Sequence, residues 1–142
     1  MSAISAKAVS PLRVVIDTNV LISGLLYGGN PEKVVDKAFD GEISAVISET
    51  IIEELKRVLF TKFGIAAEHW TAIEAQIRDS FEITEALVRL RVVKDEPDNR
   101  LLEAAVTAGC YYIITGDKPL LAVSEYKNIK ILNVSKFLKL LN

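Results

Sequence analysis

The segment RVVIDTNVLISGLL, residues 13–26, runs four residues of strand-like sequence into an acid, Asp17, and then into more apolar chain. A carboxylate at the end of a buried strand has two readings. It can cap a short helix, since Asp is a favoured N-cap worth roughly 1 kcal/mol. It can equally be the first member of a reaction site, because open parallel sheets gather their ligands at the carboxyl ends of their strands. The choice depends on whether residues 13–17 belong to such a sheet.

Three more runs resemble the first: SAVIS (44–48), YYIITG (111–116) and IKILNV (129–134). All are apolar without alternation, as expected of parallel strands covered on both faces. Helical spacing fills the intervals. PEKVVDKAFDG (31–41) has Pro31 at its start and Gly41 at its end, and ETIIEELKRVLFTKF (49–63) sets Ile51, Ile52, Leu55, Val58 and Leu59 on one stripe. AAEHWTAIEAQIRDSF (66–81), NRLLEAAVTAG (99–109) and SKFLKLLN (135–142) complete the set. Strands alternating with helices predict an α/β fold with a mainly parallel sheet and helices on both faces. Only ITEALVRLRVVKDEP (83–97) resists assignment, since helix there must give way to an extended approach to Pro97.

The chain has 142 residues, half apolar and a quarter charged, which fits one domain over residues 13–142. Residues 1–12 are small and polar without an apolar core of their own, and are expected to be a disordered extension rather than a signal peptide. No apolar run reaches the roughly 18 residues that span a bilayer. The single cysteine, Cys110, excludes an internal disulfide or a cysteine zinc site and fits a cytoplasmic protein with a buried thiol. A net charge of −2 neither requires nor excludes a nucleic-acid partner.

Asp17 and Asp117 each fall just past a predicted strand, Asp98 opens the helix before the third strand, and Glu54 lies on the helix after the second. At about 100° per residue, Glu54 sits at the edge of that helix's apolar face while Glu53 points outward, free to pair with Arg57. Each acid has an ordinary explanation: Asp17 and Asp98 could be helix caps, Asp117 a turn before Pro119, and Glu54 a surface residue. Their shared edge is what argues for a site. Four carboxylates at one place repel, and a divalent cation among them offsets that repulsion. Oxygen donors without Cys or His select Mg²⁺ or Mn²⁺. Such ions, one or two, activate water and stabilise the transition state of phosphodiester hydrolysis.

VVIDTNVLISGLL, SETIIEELKRVL, DEPDNRLLEAAVTAGCYYIITGDKPLL and IKILNVSKFLKLL, taken in order, resemble the PIN-domain family, in particular toxin components of prokaryotic toxin–antitoxin pairs (VapC-like ribonucleases). The resemblance implies a three-layer α/β/α fold and a Mg²⁺- or Mn²⁺-dependent ribonuclease. By position it makes Asp17, Glu54, Asp98 and Asp117 the catalytic and metal-binding acids, with Thr18, Asn19 and Thr115 beside them. It further implies an RNA substrate, a small antitoxin partner and a homodimer. Lys118, next to Asp117, and Lys56, Arg57 and Lys62 could meet phosphates, although a solvated helix face is the commoner explanation of such residues. Of the extra acids, Asp95 could reach an outer shell, whereas the stripe of Leu101, Leu102 and Ala105 points Glu103 away. His69 reads as a surface or packing residue, and Trp70 as core or dimer interface.

Three alternatives compete. A phosphohydrolase of the haloacid-dehalogenase type also places Asp after its first strand, but needs a second Asp where Asn19 stands, and room for a cap. A housekeeping RNA-processing nuclease would keep the chemistry without the toxin role. A non-catalytic RNA- or protein-binding module would keep the fold alone.

Overall fold

The computed structural model describes residues 11–142. The extension expected over residues 1–12 therefore lies, but for its last two residues, outside the described residues; Leu12 already packs against the core. A six-stranded sheet has the order β3-β2-β1-β4-β6-β5, formed by β1 (Arg13–Ile16), β2 (Ser44–Ser48), β3 (Glu82–Thr84), β4 (Tyr112–Ile114), β5 (Glu125–Tyr126) and β6 (Ile129–Leu132). All pairs are parallel except β5 with β6. The helices are α1 (Thr18–Leu26), α2 (Gly29–Phe39), α3 (Glu49–Phe63), α4 (Ala67–Ser80), α5 (Glu96–Ala108), α6 (Lys118–Val123) and α7 (Val134–Leu141). The expected α/β/α sandwich is the fold observed. None of the described helices is long and apolar enough to cross a membrane.

Continuous burial in β1 and β2 follows from helices on both faces: Val14, Val15, Ile16, Ala45, Val46 and Ile47 are all buried. β6 instead alternates, with Ile129 and Ile131 buried and Lys130 exposed. Its neighbour is the two-residue β5, a narrow edge that leaves one face to solvent. β3 and β5 escape sequence reading because EIT and EY are short and polar. Polar, short edge strands are what keep a sheet from pairing with another chain.

The punctuation of the helices is visible in the backbone. α3 is capped by the Ser48 hydroxyl, which accepts from Ile51 N at 3.2 Å, and ends at Gly64 in the left-handed conformation. α5 likewise ends at a left-handed Gly109. α1 packs so closely on α2 that a Cβ on Gly24 would stand 2.6 Å from Val35 Cγ2 and 2.8 Å from the Pro31 carbonyl oxygen. Trp70 is buried in the core on α4, while His69 is exposed beside it. Cys110 is buried, and desolvation pushes its thiol up to about 12.

Candidate active site

The strand order reverses between β1 and β4, and both strands end in the acids under suspicion. Asp17 follows β1 and is buried; its backbone N–H bonds Ile114 O of β4 at 2.9 Å, so the two strand ends are tied together. The Thr115 hydroxyl, fully buried, donates to Asp17 Oδ2 at 2.6 Å and accepts from the Asp117 N–H at 3.0 Å. Asp17 Oδ1 accepts from Asn19 N at 3.2 Å and from the Thr18 hydroxyl at 3.4 Å. Asp17 is thus cap and site residue together. Asp117 repeats the device, its Oδ2 accepting from Leu120 N at 3.0 Å at the start of α6. Lys118, first residue of α6, is exposed.

Asp98 differs from both. The helix begins two residues before it, at Glu96, so Asp98 stands in the first turn and does not cap, contrary to the alternative the sequence allowed. It is buried, and its Oδ2 has no hydrogen-bond partner. Burial and the adjoining Asp117, close enough to share a proton, push its carboxyl up to about 8; Asp95 and Asp17 add to the effect. Asp17 is also raised, by burial first, against the opposing pull of its hydrogen bonds to Thr115, Asn19 and Thr18. Carboxylate oxygens of Asp95, Asp98 and Asp117 lie within 4.8 Å of one another.

That trio differs from the expected four. Asp95, weighed only as an outer-shell residue, joins the cluster, whereas Asp17 and Glu54 are not part of it. Glu54 lies across a groove of about 320 Å³ that Asp17, Thr50, Arg57, Asp98 and Arg100 also line. Its two oxygens accept from Arg57 Nε and Nη2, each at 3.0 Å. The pairing foreseen for Glu53 and Arg57 is therefore corrected: Arg57 turns to Glu54, whose edge position holds it against the groove wall, and Glu53 remains exposed. Asp117 opens onto the other side, a wider groove shared with Asn19, Ser23, Thr115, Lys118 and Asn133. The sheet edge thus carries an acid ridge between two grooves.

Glu103 is not in the trio, yet it is not turned to solvent as a polar residue off the apolar stripe would be. It is buried, accepts from Leu90 N at 2.8 Å and pairs with Arg100 Nε at 2.9 Å. Nothing in the periodicity of α5 announces this, because its partner is the irregular segment before the helix.

A mainly parallel sheet with acids gathered at its switch point offers a hard cation the oxygen donors it prefers. The chain belongs to the PIN domain family, which it matches over residues 13–119. An uncharacterized protein of Methanocaldococcus jannaschii, MJ1680, is 32% identical over 130 residues, covering 87% of this chain and 83% of that protein. Among solved structures, PAE2754 from Pyrobaculum aerophilum is similar with a TM-score of 0.57 at 18% identity, covering 94% of this chain and 98% of that one. The PIN domain endonuclease Utp24 is similar with a TM-score of 0.55 at 21% identity, covering 87% and 85% respectively. Membership supports, in general terms, a metal-dependent nuclease acting on RNA.

Proposed function

We propose that this protein is a Mg²⁺- or Mn²⁺-dependent endoribonuclease whose reaction site is the acid ridge of Asp17, Asp98 and Asp117, extended by Asp95 and faced by Glu54 across the groove. The observation that carries the reading is the buried Asp98 Oδ2, which lacks any partner although a second carboxylate adjoins it. A buried acceptor left bare costs about 1–3 kcal/mol and persists where a ligand satisfies it. The donors fit a hard cation: all are carboxylate oxygens, with neither Cys nor His among them. Asp98, Asp117 and Asp95 would hold the ion. When bound, it would lower the pKa of a coordinated water and offset charge developing on the phosphate.

The chain's own residues do the rest. Asp17, fixed by Thr115 and Asn19, orients the attacking water from a position that cannot swing. Thr115 holds Asp17 and the backbone of Asp117 in one register, which makes it a positioning residue. Arg57 and Arg100 bring positive charge to the groove where Asp17 and Asp98 stand. Arg57 also holds Glu54 at the wall of the same groove, where it can join the ion through water.

The test is cleavage of total RNA from the host cell by purified protein with Mn²⁺ or Mg²⁺. Asp17→Asn is expected to abolish cleavage while keeping the thermal midpoint. Intact RNA with the unaltered protein in both ions would overturn the reading in favour of a binding module. The toxin role, with a small antitoxin and a homodimer, rests on the resemblance of the motifs. Expression of the gene alone should then arrest growth, and Asp17→Asn should abolish the arrest. Unimpeded growth with active enzyme assigns an RNA-processing role instead.

A further inference from the structure

Residues 85–95 form a strap without regular structure that runs from the end of β3 to the start of α5, and its backbone is fastened to one face of α5. Leu87 N donates to Thr107 Oγ1 at 3.0 Å, Leu90 N to Glu103 Oε2 at 2.8 Å, and both Val92 N and Val93 N to Asn99 Oδ1 at 3.0 Å. Asn99 Nδ2 returns a bond to Val93 O at 2.8 Å. Asn99, Glu103 and Thr107 are spaced at i, i+4 and i+8, so one helical stripe serves the whole strap. Asn99 and Glu103 are almost wholly buried, which is costly for an amide and a carboxylate unless every contact is made. The fold thus spends core positions on fixing an irregular segment.

Past an exposed tip of Leu87 and Val88, what the strap presents between Glu85 and Asp95 is positive. Leu90, Val92 and Val93 pack inward against the core, while Arg89, Arg91 and Lys94 are exposed. The chain has six arginines, all among the described residues. Arg13, Arg57, Arg78 and Arg100 are engaged in ion pairs, and the two without one are Arg89 and Arg91. The strap ends at Asp95 of the acid trio. At about 3.5 Å per residue, Arg91 and Arg89 lie within roughly 14 and 21 Å of it along the chain. The groove that Arg89 lines, about 420 Å³, meets the acid groove at Thr50, which lines both. Glu49, Glu85 and Glu103 line it too; Glu49 is already bound by Arg78 and Glu103 by Arg100.

We propose that the strap is a guide for the backbone of single-stranded RNA, with Arg89, Arg91 and Lys94 holding phosphates that lead toward the acid ridge. The proposal rests on the nuclease reading and deepens it. The fastening to α5 matters because charges on a fixed backbone bind without the ordering cost a mobile loop would bear. The same helix carries Asp98, one residue before Asn99, so strap and acid keep a constant relation.

The test uses the full chain carrying Asp17→Asn, a labelled single-stranded oligoribonucleotide of mixed sequence, and fluorescence polarisation across a series of salt concentrations. Adding Arg89→Ala with Arg91→Ala should weaken binding roughly tenfold and make the slope of log affinity against log salt shallower by about 1.4, at about 0.7 per phosphate contact on a single strand. Arg89→Lys with Arg91→Lys should restore the slope, and Lys130→Ala with Lys139→Ala, in β6 and α7 outside either groove around the acids, should leave it unchanged. All of these positions are exposed, so thermal midpoints should not move. Unaltered affinity and slope in the double alanine variant would overturn the guide. So would an equal loss of binding to poly-glutamate, which would mark an acidic polypeptide as the partner. If the unaltered protein cleaves RNA but its strap variants bind normally, the guide fails and the nuclease reading stands. If it neither cleaves nor binds RNA, both fall.

Discussion

Helices α3 and α5 both carry acids to the sheet's carboxyl edge, yet they are built on opposite terms. α3 buries Ile51, Ile52, Leu55, Val58 and Leu59 and leaves its charges at or near the surface, with Glu54 answered by Arg57 on the same helix. α5 buries Asp98, Asn99 and Glu103 among its apolar residues. The first is an amphipathic helix that lends a side chain to the site. The second takes polar groups into the core, two to hold the strap and one, Asp98, with an oxygen held in reserve. The contrast separates the helix that stabilises the fold from the helix that bears the strain of function.

The widest gap between them should appear in stability. Leu55, fully buried on α3, should cost about 2–5 kcal/mol on substitution by Ala in urea unfolding. Asn99→Ala should cost about 1–3 kcal/mol, because Val92 N and Val93 N lose their acceptor. It should also raise amide exchange over residues 85–95, which Leu55→Ala would not do selectively.

Asp98 should go the other way. Its folded-state carboxyl titrates near 8 against an ordinary value of 3.8, so the native state binds a proton that the unfolded chain has already released. That contribution to stability is full below about pH 4 and is lost as pH rises through 8. The metal-free protein should therefore weaken across this window relative to Asp98→Asn, with the variant about 1–2 kcal/mol more stable at pH 8. Mn²⁺ should stabilise the unaltered protein at pH 8 and much less so at pH 5, where the proton competes. RNA cleavage by Asp98→Asn should fall by more than the 10–100-fold typical of residues one layer from a metal. The smallest change belongs to Arg57→Ala: stability within about 0.5 kcal/mol, since the pair is exposed, and a modest gain in Mn²⁺ affinity by calorimetry as Glu54 loses its cation.

Much of this was legible in the chain. The buried strands were readable because helices cover both faces and force continuous apolar runs, and Asp17 and Asp117 were readable because they punctuate those runs. Glu54 was separable from Glu53 by helical angle alone. The angle did not foretell that Arg57 would reach Glu54, because both acids lie within a helical turn of it. Asp95, Asn99 and Glu103 were obscure for a different reason. Their roles depend on where an aperiodic strap lies against α5, and no local period records a contact between a helix face and a loop.

The bond from the Thr115 hydroxyl to Asp17 joins positions 98 residues apart in a chain of 142. Until β4 docks beside β1, Asp17 stands alone and no acid trio exists. Synthesis proceeds from the N-terminus, so the chain through β4 and Asp117 must be made before the edge can close. For a protein read as a cutter of RNA, this ordering acts as a safety catch: no blade exists until that distant segment has been made and docked.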